Sequence, residues 1–477
     1  MTSKDDSDVK GSGTPPETGV AARLKRAARA SVDRALGRRL VNIAHVLSGN
    51  FAGTLLGLVA FALTARTLGA FDYGVLALIH TYVRAVERLV AFQSWQPLIK
   101  YGAGLDAPER REDFKVLMKY GFMLDLAGSV AAWSVAVGIA LLAGPLFGWS
   151  EATSKLLLIY ASLLLFNVTG MPTAVVRLAG RFKLIAYSQV SSSVIRLVFT
   201  VVGYWLDAGL LYFVVGWTLL QVVSSATLFG IAMFELRRRE ALSFWRAPLR
   251  GVGARFPNIW NFAWTSNLTS TIRMSTHELD TLLVGWLADP AAAGLYHIAK
   301  RIGRMAELAG SQVQTVLYPE VARFWAAGQV EAFRRAVVQM AAILFGLGLV
   351  GVAVLMVIGE PLLRIVAGHD FVAAAPLLVI QMLAVTLALT SASLRSALFA
   401  MGRQKAVLKL VLGGALVFHA TALVLIPVLG PMGANIAHLV LGTIVMVGMA
   451  LRFRYGLTRG PGPDAVSSGA VPAPAGE

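Results

Sequence analysis

The chain contains no cysteine and carries little charge. With no thiol among its 477 residues, it has neither disulfide bonds nor cysteine-ligated metal sites. Only 14% of the residues are charged, whereas an average soluble domain has about 25%. In contrast, 56% of the residues are hydrophobic and the mean hydropathy is +0.67. Apolar segments long enough to cross a bilayer recur along the whole chain, which predicts a polytopic membrane protein.

Acidic residues are scarce, so the chain is strongly basic. Its 43 Lys and Arg residues outnumber 26 Asp and Glu residues, which gives a net charge of +17. Such an excess is typical of nucleic-acid binding, but here the basic residues lie in short segments between apolar spans, as the positive-inside rule describes. We therefore predict no nucleic-acid partner.

No cleavable signal is predicted, because the first span is longer than a signal h-region.

The apolar segments predict an all-α fold of about twelve transmembrane helices. They lie near residues 41–67, 73–97, 117–145, 154–176, 184–205, 210–235, 259–287, 293–317, 334–358, 374–400, 405–427 and 431–453. The predicted organisation is a disordered cytoplasmic tail (1–20), a basic interfacial helix (21–40), a six-helix bundle (41–236), a cytoplasmic linker (237–258), a second six-helix bundle (259–455) and a disordered tail (456–477).

The distribution of charge among the loops predicts the orientation. The N-terminal segment and every second loop contain Lys or Arg, as in the loop with Arg177, Arg181 and Lys183. The alternate loops, such as LDAG at 206–209, are nearly free of both. Because cytoplasmic loops carry the positive excess, we predict that both termini are cytoplasmic.

The second and eighth spans share the pattern Gly-x9-Arg-x2-Glu. The matching residues are Gly74, Arg84 and Glu87 in the first half and Gly294, Arg304 and Glu307 in the second. Both patterns start an inward-running span at the same place in a six-span half. This correspondence predicts an internal repeat, with halves related by an axis along the membrane normal and facing each other across a central cavity.

Charged residues lie inside the predicted spans, where each costs about 2.5–3.5 kcal/mol near the bilayer centre. At 1.5 Å per residue, Arg84 and Arg304 lie roughly 15 Å below the outer surface, near the midplane of a ~30 Å core. The candidate substrate-binding residues are Arg84, Arg88, Arg196, Arg273, Lys300, Arg301 and Arg304; the candidate supporting or ion-coupling acids are Glu87, Asp125, Glu278, Asp280 and Glu307.

This surplus of cations predicts a water-filled cavity for an anionic group. Phosphate or diphosphate is the simplest candidate, because Arg binds it in bidentate geometry. For a single pair at i,i+3, such as Arg84 and Glu87, an ion pair that only locks helices together is an equal alternative. No cofactor or metal site is predicted, and coupling to H+ or Na+ stays open.

Four stretches resemble the oligosaccharide-lipid flippases of the multidrug/oligosaccharidyl-lipid/polysaccharide exporter superfamily. They are TARTLGAFDYGVLAL (64–78), ELDTLLVGWLADPAAAGLYHIAKRI (278–302), YPEVARFWAAGQVEAFRR (318–335) and GHDFVAAAPLLVIQMLA (368–384). Their order and spacing carry the resemblance over roughly residues 41–455. The family has no invariant catalytic motif, so no residue role transfers from it.

The resemblance implies a bacterial inner-membrane protein with two six-helix bundles around a central cavity. It implies alternating access that moves a polyprenyl-diphosphate-linked oligosaccharide from the cytoplasmic to the periplasmic leaflet for surface polysaccharide synthesis. The implied partners are this lipid-linked substrate, membrane lipids, and a polysaccharide polymerase with its co-polymerase.

Two alternatives come from other functional classes. An antiporter for drugs or other amphiphiles would need an acidic cavity for cationic substrates, yet the first span contains no acid. A membrane enzyme would need a catalytic base or metal site; the sequence has no HExxH, GxSxG or Walker A motif, and the loop near 359–373 offers only His369 and Asp370 as a weak signal. We therefore predict a transporter rather than an enzyme.

Overall fold

The structure, a computed structural model, describes residues 20–92, 94–105, 107–144 and 149–458. Side chains are described in these ranges except at 20–52, 143, 265, 266, 268–278 and 309–319. The side chains of the predicted interfacial helix (21–40) and nearly all of the two predicted tails therefore lie outside the described residues.

The regular structure of the described residues is helical. The α-helices are α1 (Val20–Val90), α2 (Trp95–Gly102), α3 (Arg111–Ala143), α4 (Glu151–Ala161), α5 (Gly170–Leu178), α6 (Phe182–Trp205), α7 (Leu210–Arg238), α8 (Val252–Arg255), α9 (Ile259–Leu287), α10 (Pro290–Ala326), α11 (Val330–Val366), α12 (Ala375–Ala400), α13 (Gln404–Leu429) and α14 (Pro431–Leu457). Short 3-10 helices cover Pro108–Arg110, Ser162–Phe166, Leu242–Arg246 and His369–Ala374.

The helix lengths and composition confirm an all-α polytopic membrane protein. In the described ranges, nine helical segments are long and apolar enough to cross a membrane. The predicted count of twelve stays a prediction, partly because one of the nine segments, Gly53–Val90, contains two of the predicted spans. Helix α1 packs against α6 and also against α10, which places a contact between the two sequence halves beside the predicted cavity.

The first two predicted spans follow each other within α1 and are separated by a break at Gly69. This residue has φ 71° and ψ 176°, a backbone conformation that glycine adopts at little steric cost. The connection predicted between these spans, residues 68–72, is therefore reduced to the break at Gly69. The helix resumes directly, and its second segment continues to Val90.

The two glycines of the repeated pattern meet at a direct backbone contact between α1 and α10. A Cβ atom added to Gly74 would lie 1.7 Å from the Pro290 carbonyl oxygen, and one added to Gly294 would lie 2.5 Å from the Ala70 carbonyl oxygen. Beside them, the buried Tyr73 hydroxyl is hydrogen-bonded to His297 Nδ1 at 2.9 Å. The helices are thus in closest contact at the end that the loop charges predict to be external.

The fourth predicted span, 154–176, lies within the membrane-spanning segment Glu151–Leu178, but this segment is not one continuous helix. The structure interrupts it between α4 and α5, where Ser162–Phe166 forms a 3-10 helix and residues 167–169 are non-helical. Pro172 lacks a backbone N–H and is tolerated in the first turn of a new helix. The buried Asp125 carboxylate accepts a hydrogen bond from the Met171 N–H at 2.6 Å, which satisfies one donor at the start of α5.

Two segments that the sequence predicts as connections contain helix. The predicted external loop at 359–373 is largely occupied by the end of α11 and by His369–Ala374. The predicted linker at 237–258 contains Leu242–Arg246 and α8. Its Trp245 packs edge-on against Phe122 of α3 at a ring-centroid distance of 4.8 Å, so the linker is attached to the first half.

The glycine contact gives a first prediction. Gly74→Ala should lower the thermal unfolding midpoint in detergent, because the new methyl group overlaps the Pro290 carbonyl and overpacking costs about 1–3 kcal/mol. Gly138→Ala on α3 is the matched control, since a Cβ there meets nothing within 4 Å. Equal midpoints for wild type and Gly74→Ala would show that α1 and α10 do not touch in this way.

Candidate functional site

A polar cavity of about 250 Å³ lies where α1 and α10 face each other, and residues of α4, the Ser162–Phe166 helix, α6, α7 and α9 complete its walls. Its lining residues are Phe61, His80, Thr81, Arg84, Arg88, Tyr160, Leu163, Arg196, Gln221, Thr281, His297, Lys300, Arg301 and Arg304. We call it the cationic cavity. Six of the seven predicted cations line it, and the seventh, Arg273, has a side chain outside the described residues.

Three arginines of the cationic cavity have no carboxylate partner within the described part of the chain: Arg196, Arg301 and Arg304. The Arg301 guanidinium lies 3.4 Å above the Phe61 ring centroid, and that of Arg196 lies 5.6 Å above the Trp217 ring centroid. Aromatic faces stabilise a desolvated cation by up to about 2 kcal/mol. These contacts hold the guanidinium groups in place but do not neutralise them.

Arg84 is paired, as its i,i+3 spacing from Glu87 predicts. Its Nη1 atom lies 2.9 Å from Glu87 Oε2. The other carboxylate oxygen of Glu87 accepts a hydrogen bond of 2.5 Å from Asn167 Nδ2, at the break between α4 and α5. Glu87 therefore positions Arg84 and links the cavity wall to the interrupted span.

Asp280 forms the centre of a buried polar cluster. Its carboxylate has no exposed surface and accepts hydrogen bonds from Lys300 Nζ at 2.6 Å, from the Tyr296 hydroxyl at 2.8 Å and from the Thr281 N–H at 2.6 Å. His438 Nε2 lies 2.8 Å from the same carboxylate. We call these residues the Asp280 cluster. It joins α9, α10 and α14, and it balances the Lys300 charge within the protein.

The other candidate acids differ from the sequence-based picture. Asp125 of α3 lies beside the start of α5. Its carboxylate accepts a hydrogen bond from the Met171 N–H rather than supporting an arginine of the cavity. Glu307 forms no ion pair with Arg304 among the described side chains, so the repeat does not reproduce the Arg84–Glu87 pair. The Glu278 side chain lies outside the described residues.

A second cavity of about 530 Å³ adjoins the first and was not predicted from the sequence. We call it the polar compartment. It shares Arg196, Gln221, Arg301 and Arg304 with the cationic cavity and is otherwise lined by Gly53, Thr54, Gly57, Leu58, Gln189, Ser192, Ser193, Ser224, Met305 and Leu308. Gln189, Ser192, Ser193 and Arg196 follow i, i+3, i+4, i+7 spacing in α6, a signal that could have found it.

Neither cavity resembles a metal centre. In the described ranges no three His, Asp or Glu side chains are grouped so that they could hold a metal ion. The lining is instead rich in guanidinium, hydroxyl and amide groups, which bind oxyanions and hydroxylated ligands through hydrogen bonds.

Comparison with known proteins identifies the family. The profile of a family described as polysaccharide biosynthesis protein matches residues 63–376. The chain belongs to this family. The matched range includes the whole lining of both cavities except Gly53, Thr54, Gly57, Leu58 and Phe61. A curated relative, the inner membrane protein YghQ of Escherichia coli (strain K12), is 27% identical over 342 residues, which cover 70% of this chain and 93% of YghQ.

Solved structures confirm the transporter fold. The lipid II flippase MurJ in an inward closed conformation matches with a TM-score of 0.64 and 14% identity over 87% of this chain and 89% of MurJ. An inward-facing multidrug resistance MATE family transporter of the MOP superfamily matches with a TM-score of 0.63 and 14% identity over 88% of this chain and 96% of its own. At this identity the structural likeness concerns the fold alone, and it confirms the predicted fold class.

The Asp280 cluster gives a second prediction. Asp280→Asn should destabilise the protein by about 3–5 kcal/mol, because it leaves the Lys300 charge without its counterion in a buried site. The double variant Asp280→Asn/Lys300→Met should recover much of this loss, because it removes the charge as well. Thermal unfolding of the four proteins in one detergent gives the coupling between the two sites. A double variant that is no more stable than Asp280→Asn would refute the pairing.

Proposed function

We propose that the protein is a flippase that moves a polyprenyl-diphosphate-linked oligosaccharide repeat unit from the cytoplasmic to the periplasmic leaflet of the inner membrane. The observation that carries this proposal is the convergence of Arg196, Arg301 and Arg304 on one cavity without carboxylate partners among the described residues. A member of a polysaccharide biosynthesis family with such a cavity requires an anionic sugar carrier as its ligand.

A diphosphate fits the charge of the cationic cavity. An unpaired cation within a membrane is costly unless it reaches water or meets an anion. A diphosphate offers several anionic oxygens to guanidinium groups on facing helices, Arg196 on α6 and Arg301 and Arg304 on α10. Hydrogen bonds between charged groups contribute about 1.5–3 kcal/mol each, so three arginines favour binding of the diphosphate in this cavity.

Alternating access then follows from the contact between α1 and α10. In the predicted orientation, Gly74 and Gly294 close the periplasmic end, and Arg84 and Arg304 lie ten residues further along the same helices. A substrate held by the arginines is therefore exposed to the periplasm only after this contact separates. The polyprenyl chain stays in the bilayer while the head group crosses between the halves. This step moves the substrate without changing any covalent bond.

An ion-coupled antiporter that exports drugs or other amphiphiles is the second candidate, favoured by the fold shared with a MATE transporter. Its substrate would have to suit the same cavity. A cationic drug would be repelled by arginines, whereas an anionic amphiphile would not. Coupling to H+ or Na+ is a further proposal for either function, and a polymerase with its co-polymerase is the expected downstream partner of the flippase.

The proposal predicts the effect of removing these charges. Arg301→Gln and Arg304→Gln should each weaken binding of undecaprenyl diphosphate by purified protein by about 10- to 100-fold, the equivalent of one charge-assisted hydrogen bond. Arg335→Gln, at an exposed position near the start of α11, is the matched control and should bind as wild type does. Wild-type affinity in both cavity variants, with the fold intact, would overturn the proposal.

The cellular test uses the native host with the gene deleted. A complete lipid-linked repeat unit should accumulate, protected from periplasmic enzymes, while surface polymer is lost. Complementation by wild type and by Arg335→Gln should restore the polymer, and Arg304→Gln should restore less. Normal polymer with no accumulated intermediate, in a strain without a redundant relative, would favour the antiporter instead.

A further inference from the structure

We infer that the polar compartment binds the sugars that are attached directly to the diphosphate, and that Gln189 is a residue that recognises them. This inference rests on the proposed function and assigns a separate part of the ligand to each cavity. The cationic cavity holds the diphosphate, and the polar compartment holds the carbohydrate.

The two cavities adjoin at the residues that would bind the diphosphate. Arg196, Arg301 and Arg304 line both, so a group held by them lies beside the polar compartment. Whatever is bonded to that group extends into one cavity or the other. The polar compartment, at about 530 Å³, is the larger, and its size lies within the 300–1,000 Å³ range of pockets that enclose an organic ligand.

The polar compartment has two kinds of wall: Gly53, Gly57, Leu58, Met305 and Leu308 of α1 and α10 are apolar, whereas the walls of α6 and α7 suit the hydroxyl groups of a sugar. Its α6 and α7 walls present Gln189, Ser192, Ser193, Gln221 and Ser224. A polyprenyl chain placed there would desolvate the side-chain amides of Gln189 and Gln221 without replacing their hydrogen bonds to water, at a cost of about 1–3 kcal/mol for each. Sugar hydroxyls both donate and accept hydrogen bonds, so they can replace the displaced water.

Among the described residues, the hydroxyl groups of this wall form hydrogen bonds within the protein, whereas its side-chain amides do not. Ser192 Oγ and Ser224 Oγ are 3.0 Å apart and link α6 to α7, and the Ser193 hydroxyl donates to the Gln189 carbonyl oxygen at 3.0 Å. Among the described residues, the side-chain amides of Gln189 and Gln221 make no hydrogen bond. Each amide offers two N–H donors and one acceptor to a ligand.

A substitution of Gln189 tests the proposed sugar site separately from the diphosphate site. Gln221 lines both cavities, but Gln189 lines only the polar compartment. Gly53 of α1 packs directly against Ser193 of α6, because a Cβ added at Gly53 would lie 3.3 Å from Ser193 Oγ and within 4 Å of no arginine. A larger residue at position 53 would therefore crowd the α6 wall of the polar compartment at Ser193.

The test compares two probes on purified protein: undecaprenyl diphosphate, and undecaprenyl diphosphate that carries a neutral disaccharide, chitobiose. Wild type should bind the glycosylated probe at least tenfold more tightly. Gln189→Met should reduce that preference to about threefold or less and leave the affinity for the bare probe unchanged. Gly53→Val should have the same selective effect, and Gln189→Asn, which keeps the amide, should retain part of the preference. Gln404→Met, at the exposed start of α13, is the control for the substitution itself.

The outcomes distinguish this inference from the proposed function. If wild type binds neither probe, the proposed function fails. If wild type binds both probes equally, or if Gln189→Met and Gly53→Val weaken both equally, the flippase proposal stands and the carbohydrate assignment is overturned.

Discussion

A charge within a membrane protein must be paired or must reach water, and the organisation of this molecule follows from how it meets that requirement. Lys300 is balanced by Asp280, and Arg84 is balanced by Glu87. Arg196, Arg301 and Arg304 face the cavity instead, where the described residues provide no acid for them. The paired charges are balanced within the protein, and the unpaired ones line the cavity proposed to bind an anion.

Close helix contact and the cavity depend on each other. In a membrane, small residues let helices approach and gain van der Waals contact, since no hydrophobic effect separates protein from lipid. The backbones of α1 and α10 touch at Gly74 and Gly294. Ten residues further, the same helices carry the long side chains of Arg84 and Arg304, which require space and water. The repeated Gly-x9-Arg pattern thus places a tight contact and a cavity at a fixed distance along both helices.

The sequence predicted the set of cavity cations better than it predicted their partners. Depth follows from a rise of 1.5 Å per residue, so helix position alone placed Arg84 and Arg304 near the midplane. Ion pairing between distant segments has no such rule: Asp280 and His438 are 158 residues apart in the chain and 2.8 Å apart in the structure. Spacing within one helix identified the Arg84–Glu87 pair but also suggested Arg304–Glu307, which the described side chains do not form.

Uncharged features were harder to predict. The polar wall of α6 contains Gln189 and two serines. A hydropathy average over this segment hides them among apolar neighbours, so only their position on one helix face reveals the wall. The break in the fourth span leaves no mark in the average hydropathy for a similar reason, because the segment is largely apolar. Gly170 and Pro172 are the local signal for it, and the buried Asp125 that stabilises the new helix lies 46 residues away from Met171 in the chain.

That break gives the fourth span a point at which it can bend. A continuous helix must lose backbone hydrogen bonds to bend, but here side chains of other helices already bind both sides of the interruption: Glu87 binds Asn167, and Asp125 binds the Met171 N–H. Glu87 also holds Arg84 through its other carboxylate oxygen, so one carboxylate contacts both the cavity wall and the break. Beyond the break, Arg177 of α5 lies 4.5 Å above the Trp95 ring of α2. A chain of contacts thereby joins the cavity wall to the packing of α5 on α2, at the end of the helices that the loop charges predict to be cytoplasmic.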